Sequence, residues 1–134
     1  MSRFSKKNLI IALQNRADRY LEGNAFEAAR GVEQLDGKSV DVCVAYGGWA
    51  LCQEMLCKLA EVGAVNKTGL EDEFNARASQ LALTHRINRG NGTAQLRGSL
   101  GTCAAMVAYG EMRLCEELSQ GIFDGSFLRF WVAL

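Results

Sequence analysis

The sequence of 134 residues contains no proline, and this absence favours a helical fold. Proline removes a backbone hydrogen bond and its ring clashes with the preceding turn, so it strongly interrupts helices. Glycine is left to end the helices, because it readily adopts the left-handed conformation found at many helix C-termini. With fourteen glycines to separate its segments, the chain is predicted to be all-α.

Net charge and long apolar stretches are also absent. Fifteen Lys and Arg residues balance fifteen Asp and Glu residues, so the chain as a whole is not attracted to nucleic acid or to an anionic membrane. No apolar stretch reaches the ~18 residues that a membrane-spanning helix needs. The polar start, Met1 to Lys7, does not resemble a signal peptide. We expect a cytoplasmic protein without a membrane partner.

Histidine and paired cysteine motifs are scarce, which limits metal binding and catalysis. His85 is the only histidine, and no two of the five cysteines are spaced Cys-x-x-Cys. A zinc site needs a larger set of such ligands, and a general base needs a nucleophile at a matching position. We predict no metal, no cofactor and no enzymatic activity. We expect the cysteines to be thiols, mostly buried in the core.

An internal repeat is the strongest pattern that the sequence contains. Val44–Glu54 and Val107–Glu117 share seven of eleven residues at an offset of 63 (107 − 44). The motif Gly-x-x-Gln-Leu-x-Gly that begins at Gly31 recurs 61 residues later, and Arg16 and Arg77 are separated by the same offset (77 − 16). This pattern indicates a duplication of about half the chain.

The length and the repeat together predict one domain, residues 1–134, with halves at about 1–66 and 67–134. We expect a compact bundle of five to six helices, in which two similar three-helix halves are related by a pseudo-two-fold axis. Capping residues and glycines predict the helices to run from Ser5 to Gly23, Asn24 to Gly37, Val40 to Val62, Thr68 to about Arg89, Thr93 to Ser119, and from Ser126 onward.

The repeated segment places glycines in the middle of two helices, at Gly47 and Gly110. A glycine inside a helix costs about 1 kcal/mol relative to alanine, and a close approach of two backbones would offset this cost. We therefore predict that the two helices cross near these glycines. Alternatively, the polar residues of the repeat line a shared groove, Tyr46 with Tyr109 or Glu54 with Glu117.

The stretch from His85 to Arg97 is basic and rich in glycine. Backbone amides at a helix start near Thr93, flanked by arginines, can bind a phosphate or a carboxylate, although the spacing of a P-loop is absent. The other interpretation is a loop between helices whose arginines compensate a helix C-terminus. The candidate anion-binding residues are His85, Arg86, Arg89 and Arg97.

The C-terminal segment from Ile122 to Leu134 is apolar and carries Phe127, Phe130 and Trp131. Aromatic residues are enriched at protein interfaces, so these three residues are candidates for contact with a partner or with a second copy of the chain. The alternative is that the segment docks onto the bundle and completes its core.

These patterns favour a small, non-enzymatic regulatory module that binds a partner protein stoichiometrically, as an inhibitor or adaptor, including one encoded by a mobile element. The identity of that partner and the formation of a homodimer stay open at this point. The alternative function is binding of an anionic ligand or of nucleic acid through Arg86, Arg89 and Arg97.

Overall fold

The computed structural model describes residues 5–22, 40–87 and 103–124, which form four α-helices and no strand. The helices are α1 (Lys6–Leu21), α2 (Val40–Glu61), α3 (Lys67–His85) and α4 (Cys103–Asp124). The all-helical prediction is therefore confirmed over these ranges. The helix predicted at 24–37, the start of a helix at Thr93 and the helix predicted from Ser126 lie outside the described residues.

Helices α1 and α3 begin with the same capping arrangement. The Ser5 side chain accepts a hydrogen bond from the Asn8 backbone N–H at 3.1 Å, as the sequence predicted for this cap. In α3 the Asn66 side chain accepts from the Gly69 N–H at 2.9 Å. The prediction that Thr68 caps α3 is therefore wrong. Asn66 has the extended backbone that a cap requires, and asparagine is at least as good a capping residue as threonine.

Helix α3 ends earlier than predicted, at His85 rather than near Arg89. Arg86 adopts the left-handed conformation, with φ of 56°. The backbone N–H of Ile87 donates to the carbonyl of Ala82 at 2.8 Å, and the Ile87 side chain is buried. This six-to-one bond with an apolar residue after the turn is the Schellman motif, with arginine where glycine is usual.

The helices pack in the order α1 on α2, α2 on α4 and α4 on α3. Helices α1 and α2 run antiparallel, because Lys6 donates to the carbonyl of Val62 while Tyr20 lies against Gly48. Among the described residues, one large cluster of buried side chains joins all four helices. Its largest fully buried side chains are Leu9, Leu13, Leu51, Met55, Leu59, Phe74, Met112, Leu114 and Leu118.

Helices α2 and α4 cross with their backbones in contact. A β-carbon on Gly47 would overlap the carbonyl oxygen of Val107, and one on Gly110 would overlap the carbonyl oxygen of Val44. The predicted close crossing at the two glycines is therefore confirmed. Because glycine lacks a β-carbon, it is the residue that permits this approach.

Candidate functional site

A groove opens on the surface between the end of α2 and the start of α3. Its volume is about 280 Å³. The inner wall consists of buried apolar side chains, and charged residues stand at the rim, where Lys58 and Glu73 form an ion pair with both side chains about half exposed. The lining residues are Met55, Lys58, Leu59, Val62, Ala64, Val65, Asn66, Gly69, Leu70 and Glu73.

The local sequence explains why this space is open. Helix α2 ends at Glu61, and residues 62–66 turn the chain before Asn66 caps α3. Two residues without bulky side chains, Ala64 and Gly69, lie where the helices meet, and the nearest side-chain atom to a β-carbon on Gly69 would be Cβ of Asn66 at 3.6 Å. The last apolar turn of α2 thus remains accessible beside the first turn of α3.

An apolar floor surrounded by a polar rim suits one large apolar side chain of a binding partner. The volume of the groove lies just below the range of small-molecule sites, which begins at roughly 300 Å³. Protein interfaces are commonly anchored by a few apolar residues that enter such pockets, with polar groups around them that exclude water. The groove is therefore the candidate binding site.

Beside the groove, Arg77 of α3 links α2 to α4. Its Nη2 atom donates to Oε1 of Glu54 at 3.0 Å and to Oε1 of Glu111 at 2.6 Å, and its Nη1 atom donates to Oε2 of Glu54. The hydrogen bonds from Arg77 lower the pKa of Glu54, and the Glu54 carboxylate in turn raises the pKa of Arg77. Both groups are therefore charged at neutral pH.

A second arginine, Arg16 of α1, donates to Oε2 of Glu117 in α4. The Arg16 side chain is 8% exposed and the Glu117 side chain 37%. The guanidinium also lies 5.2 Å from the centre of the Tyr20 ring, a distance that suits a cation–π contact. Burial raises the pKa of Tyr20 to about 12, so its hydroxyl stays protonated.

The buried thiols next to these arginines are poor nucleophiles. Burial raises the pKa of Cys52 and of Cys115 to about 12. Since the thiolate is the reactive form of cysteine, both side chains remain inert thiols at neutral pH. Their role in the structure is to pack the core, as the sequence predicted for most cysteines.

The stability of the fold is expected to fall as the pH drops through the range in which Glu54 titrates. Arg77 holds the folded-state pKa of Glu54 below its ordinary value, so the unfolded chain binds this proton more strongly. The contribution of Glu54 is therefore present above its unfolded pKa and is lost as the pH falls through its folded pKa. In an Arg77→Met variant, NMR titration of the Glu54 carboxyl should give a higher pKa than in the wild type. An unchanged pKa would show that Arg77 is not the cause.

Only two of the seven site residues predicted from sequence lie in the described part of the chain. His85 is partly buried in the last turn of α3, and the next residue, Arg86, is exposed. Their role in anion binding stays a prediction. The remaining five lie outside the described residues: Arg89, Arg97, Phe127, Phe130 and Trp131.

The prediction that Tyr46 and Tyr109 line a shared groove is wrong, because Tyr109 is 2% exposed within the core. Glu54 and Glu117 bind different arginines, and a groove between these two glutamates stays a prediction. Sequence reasoning missed both the groove between α2 and α3 and the two ion pairs. The available signals were the apolar residues Val62 and Val65 around the connection after α2, and the repetition of arginine at an offset of 61 residues.

Within residues 5–22, 40–87 and 103–124, no three His, Cys, Asp or Glu side chains are grouped so that they could hold a metal ion. None of the described helices combines the length and the apolar character needed to cross a membrane.

No protein-family model, curated protein or solved structure matches this chain.

Proposed function

We propose that the protein is a small non-enzymatic module that binds a partner protein, and that the groove between α2 and α3 receives one large apolar side chain from an amphipathic helix of that partner. The groove itself carries this proposal. Its walls are Met55, Leu59 and Leu70, which are apolar, while Lys58 and Glu73 at the rim are charged and half exposed. This pattern matches a helix that presents an apolar anchor flanked by polar residues.

The rim supports a helical partner in particular. Lys58 and Glu73 carry opposite charges on opposite sides of the groove. An amphipathic helix commonly carries residues of both charges beside its apolar stripe. Such a helix can therefore break the ion pair between Lys58 and Glu73 and form one ion pair with each of these two residues. Such contacts at the rim favour specificity and association rate more than affinity.

The state of the buried thiols supports a non-enzymatic role. Cys52 and Cys115 lie beside charged residues, an arrangement that could activate a nucleophile. Burial nevertheless raises the pKa of each thiol to about 12, which keeps them protonated.

We propose further that the protein resides in the cytoplasm. The exposed thiol of Cys57 supports this location, since exposed thiols persist in a reducing compartment.

We also propose that the chain is one domain, 1–134, that arose by duplication of a half. The first helix of each proposed half, α1 and α3, supports this proposal. Ser5 and Asn66, both helix caps, are 61 residues apart (66 − 5), and so are the buried residues Leu9 and Leu70, Leu13 and Phe74, Ala17 and Ala78. The predicted helices at 24–37 and from Ser126 lie outside the described residues.

Reciprocal contacts between the halves support a pseudo-two-fold axis. Gly47 lies against Val107 and Gly110 against Val44, and each contact becomes the other when 63 is added to or subtracted from the residue numbers. The ion pairs are reciprocal too, with an offset of 61 for the arginines (77 − 16) and 63 for the glutamates (117 − 54). Arg16 of the first half binds Glu117 of the second, whereas Arg77 of the second half binds Glu54 of the first.

The test of the binding site compares two exposed apolar residues, one inside the groove and one outside it. Val62 lines the groove and is 36% exposed, whereas Leu83 lies on α3 outside the lining and is 77% exposed. We expect Val62→Asp to weaken capture of the partner from native lysate by about tenfold or more, because the charge must be desolvated when the apolar anchor binds. Leu83→Asp should bind as the wild type does.

Pull-down with and without nuclease, followed by mass spectrometry and titration of the captured protein, gives the measurement. Thermal unfolding of Leu83→Asp should match the wild type, because its side chain is largely exposed. Val62→Asp should still unfold cooperatively but at a slightly lower temperature, because Val62 is only 36% exposed. A partner that binds both variants equally well does not use the groove. Loss of all captured protein after nuclease treatment would favour the alternative, binding of nucleic acid through Arg86, Arg89 and Arg97. In that case Arg86→Glu with Arg89→Glu should abolish binding.

A further inference from the structure

Two cysteines from distant parts of the chain lie in contact. The Sγ atoms of Cys43 in α2 and Cys103 in α4 are 3.3 Å apart. All five cysteines lie within the described residues and all are thiols. A disulfide bond is about 2.05 Å long, so the two sulfurs need to approach by roughly 1.3 Å to become bonded. Rotation of the two side chains covers a movement of that size.

The surrounding helices hold this pair in place. Cys43 is fully buried, and apolar side chains from α1, α2 and α4 surround it, including Tyr20, Trp49 and Met106. Its neighbour Val44 contacts Gly110 at the helix crossing, and Val107, one turn after Cys103, contacts Gly47. The close crossing therefore fixes the distance between the helices where the sulfurs meet.

The two thiols differ in their access to solvent. Cys103 is partly exposed in the first turn of α4, whereas Cys43 has no exposed surface. A reagent in solution therefore reaches Cys103 first. This is the arrangement of an attacking thiol with a resolving thiol beside it.

We propose that Cys43 and Cys103 are a redox modification site that reacts with a low-molecular-weight disulfide such as oxidised glutathione. The Cys103 thiolate attacks one sulfur of oxidised glutathione, which forms a mixed disulfide and releases one glutathione thiolate. The Cys43 sulfur then attacks the Cys103 sulfur, so that the Cys43–Cys103 bond forms and the bond from Cys103 to glutathione breaks. The departing glutathione thiolate takes up the proton that Cys43 loses, and the first glutathione thiolate takes up the proton that Cys103 lost. In sum, two protein thiols become one disulfide, and one oxidised glutathione becomes two reduced glutathiones.

The disulfide ties α2 to α4 at the helix starts, and the groove lies at the other end of α2. It closes a loop from residue 43 to residue 103, and cross-links of long loops stabilise the fold by restricting the unfolded chain. Oxidation therefore raises the temperature of unfolding and leaves the groove open. A negative result for the redox site therefore leaves the proposed binding site untouched, and a negative result for the binding site leaves the redox site untouched.

The test uses the full chain with Cys57→Ser, which removes the exposed thiol that would otherwise react with glutathione. The folded protein is incubated with a series of ratios of oxidised to reduced glutathione. Intact mass spectrometry should show the loss of two hydrogens, and digestion should yield one linked peptide pair that contains Cys43 and Cys103. The midpoint of thermal unfolding should rise on oxidation and return after reduction.

Single variants that also carry Cys57→Ser separate the attacking role of Cys103 from the resolving role of Cys43. With Cys43→Ser, the reaction should stop at one glutathione bound to Cys103. With Cys103→Ser, no glutathione should be incorporated while the protein is folded, because Cys43 is buried. The proposal is overturned if glutathione remains on Cys103 when Cys43 is present, if the linked peptides contain Cys52 or Cys115, or if the folded protein does not react.

Discussion

Gly47→Ala is expected to destabilise the protein by about 2 kcal/mol or more, and Gly47→Leu by about 3 kcal/mol or more, although alanine is the better helix former. The reason is the position of the added carbon, which would overlap the Val107 carbonyl oxygen of the facing helix. Backbone atoms cannot rotate away as a side chain can, so α2 and α4 must separate and lose core contacts. Urea unfolding followed by circular dichroism measures the change.

Gly69→Ala is the matched control for this prediction. Gly69 also lies in a helix, but a β-carbon there would meet atoms of Asn66 no closer than 3.6 Å, an ordinary contact. Helix propensity should then stabilise the variant by up to about 1 kcal/mol. Opposite signs at Gly47 and Gly69 are the expected outcome. A change below ~0.5 kcal/mol for Gly47→Leu would refute the close crossing.

The reciprocity of the crossing adds a stricter test. Gly110→Ala should cost about as much as Gly47→Ala, because each adds a carbon against the other helix at an equivalent site. The double variant should cost clearly less than the sum of the two, since separating the helices once relieves both overlaps. Additive costs would mean that the two glycines occupy independent environments.

Glu117→Ala is expected to lower the free energy of unfolding by about 3 kcal/mol. The substitution removes the carboxylate that neutralises Arg16, whose side chain is 8% exposed. Removing one member of a buried ion pair leaves a charge in an apolar region, which costs more than the pair itself contributes. Because Glu117 is partly exposed, we expect the loss of stability to lie at the lower end of the range for breaking a buried ion pair.

The opposite substitution, Arg16→Met, should be milder, at about 1 kcal/mol. Methionine fills much of the arginine volume, and Glu117 is exposed enough to be hydrated once the guanidinium is gone. Glu73→Ala gives the surface control. It breaks an ion pair in which both side chains are about half exposed and should change stability by less than about 1 kcal/mol. Chemical unfolding of all three variants measures the loss in the free energy of unfolding. Equal losses for Glu117→Ala and Glu73→Ala would contradict the expected order.

The features of the fold that the sequence predicted correctly depend on local chemistry. The Ser5 cap and the extent of α2 follow from short-range preferences for capping and for helix ends. The crossing of α2 and α4 was predicted because a glycine repeated in mid-helix has a propensity cost that calls for compensation. Local preference also explains the error at α3, where Asn66 and Thr68 are both plausible caps and only the backbone geometry separates them.

The candidate site depended on relations that the sequence does not encode locally. The groove exists because residues 62–66 place the end of α2 beside the start of α3, and that placement follows from packing of the whole bundle. The repeat predicts that Arg16 corresponds to Arg77 and Glu54 to Glu117. It could not show that each arginine reaches the glutamate of the other half, because equivalence in sequence does not give distance in space.

The pairing of Arg16 with Glu117 has a consequence for the order in which the molecule assembles. These two residues are separated by 101 positions, and the contacts of Gly47 with Val107 and of Gly110 with Val44 join residues that are 60 (107 − 47) and 66 (110 − 44) positions apart. Contacts between distant residues require loop closure before they stabilise anything, which slows folding relative to bundles with local contacts. We therefore expect that during synthesis α1 and α2 emerge before their partners Glu117 and Gly110 in α4 exist, and that the core closes only after α4 has been made.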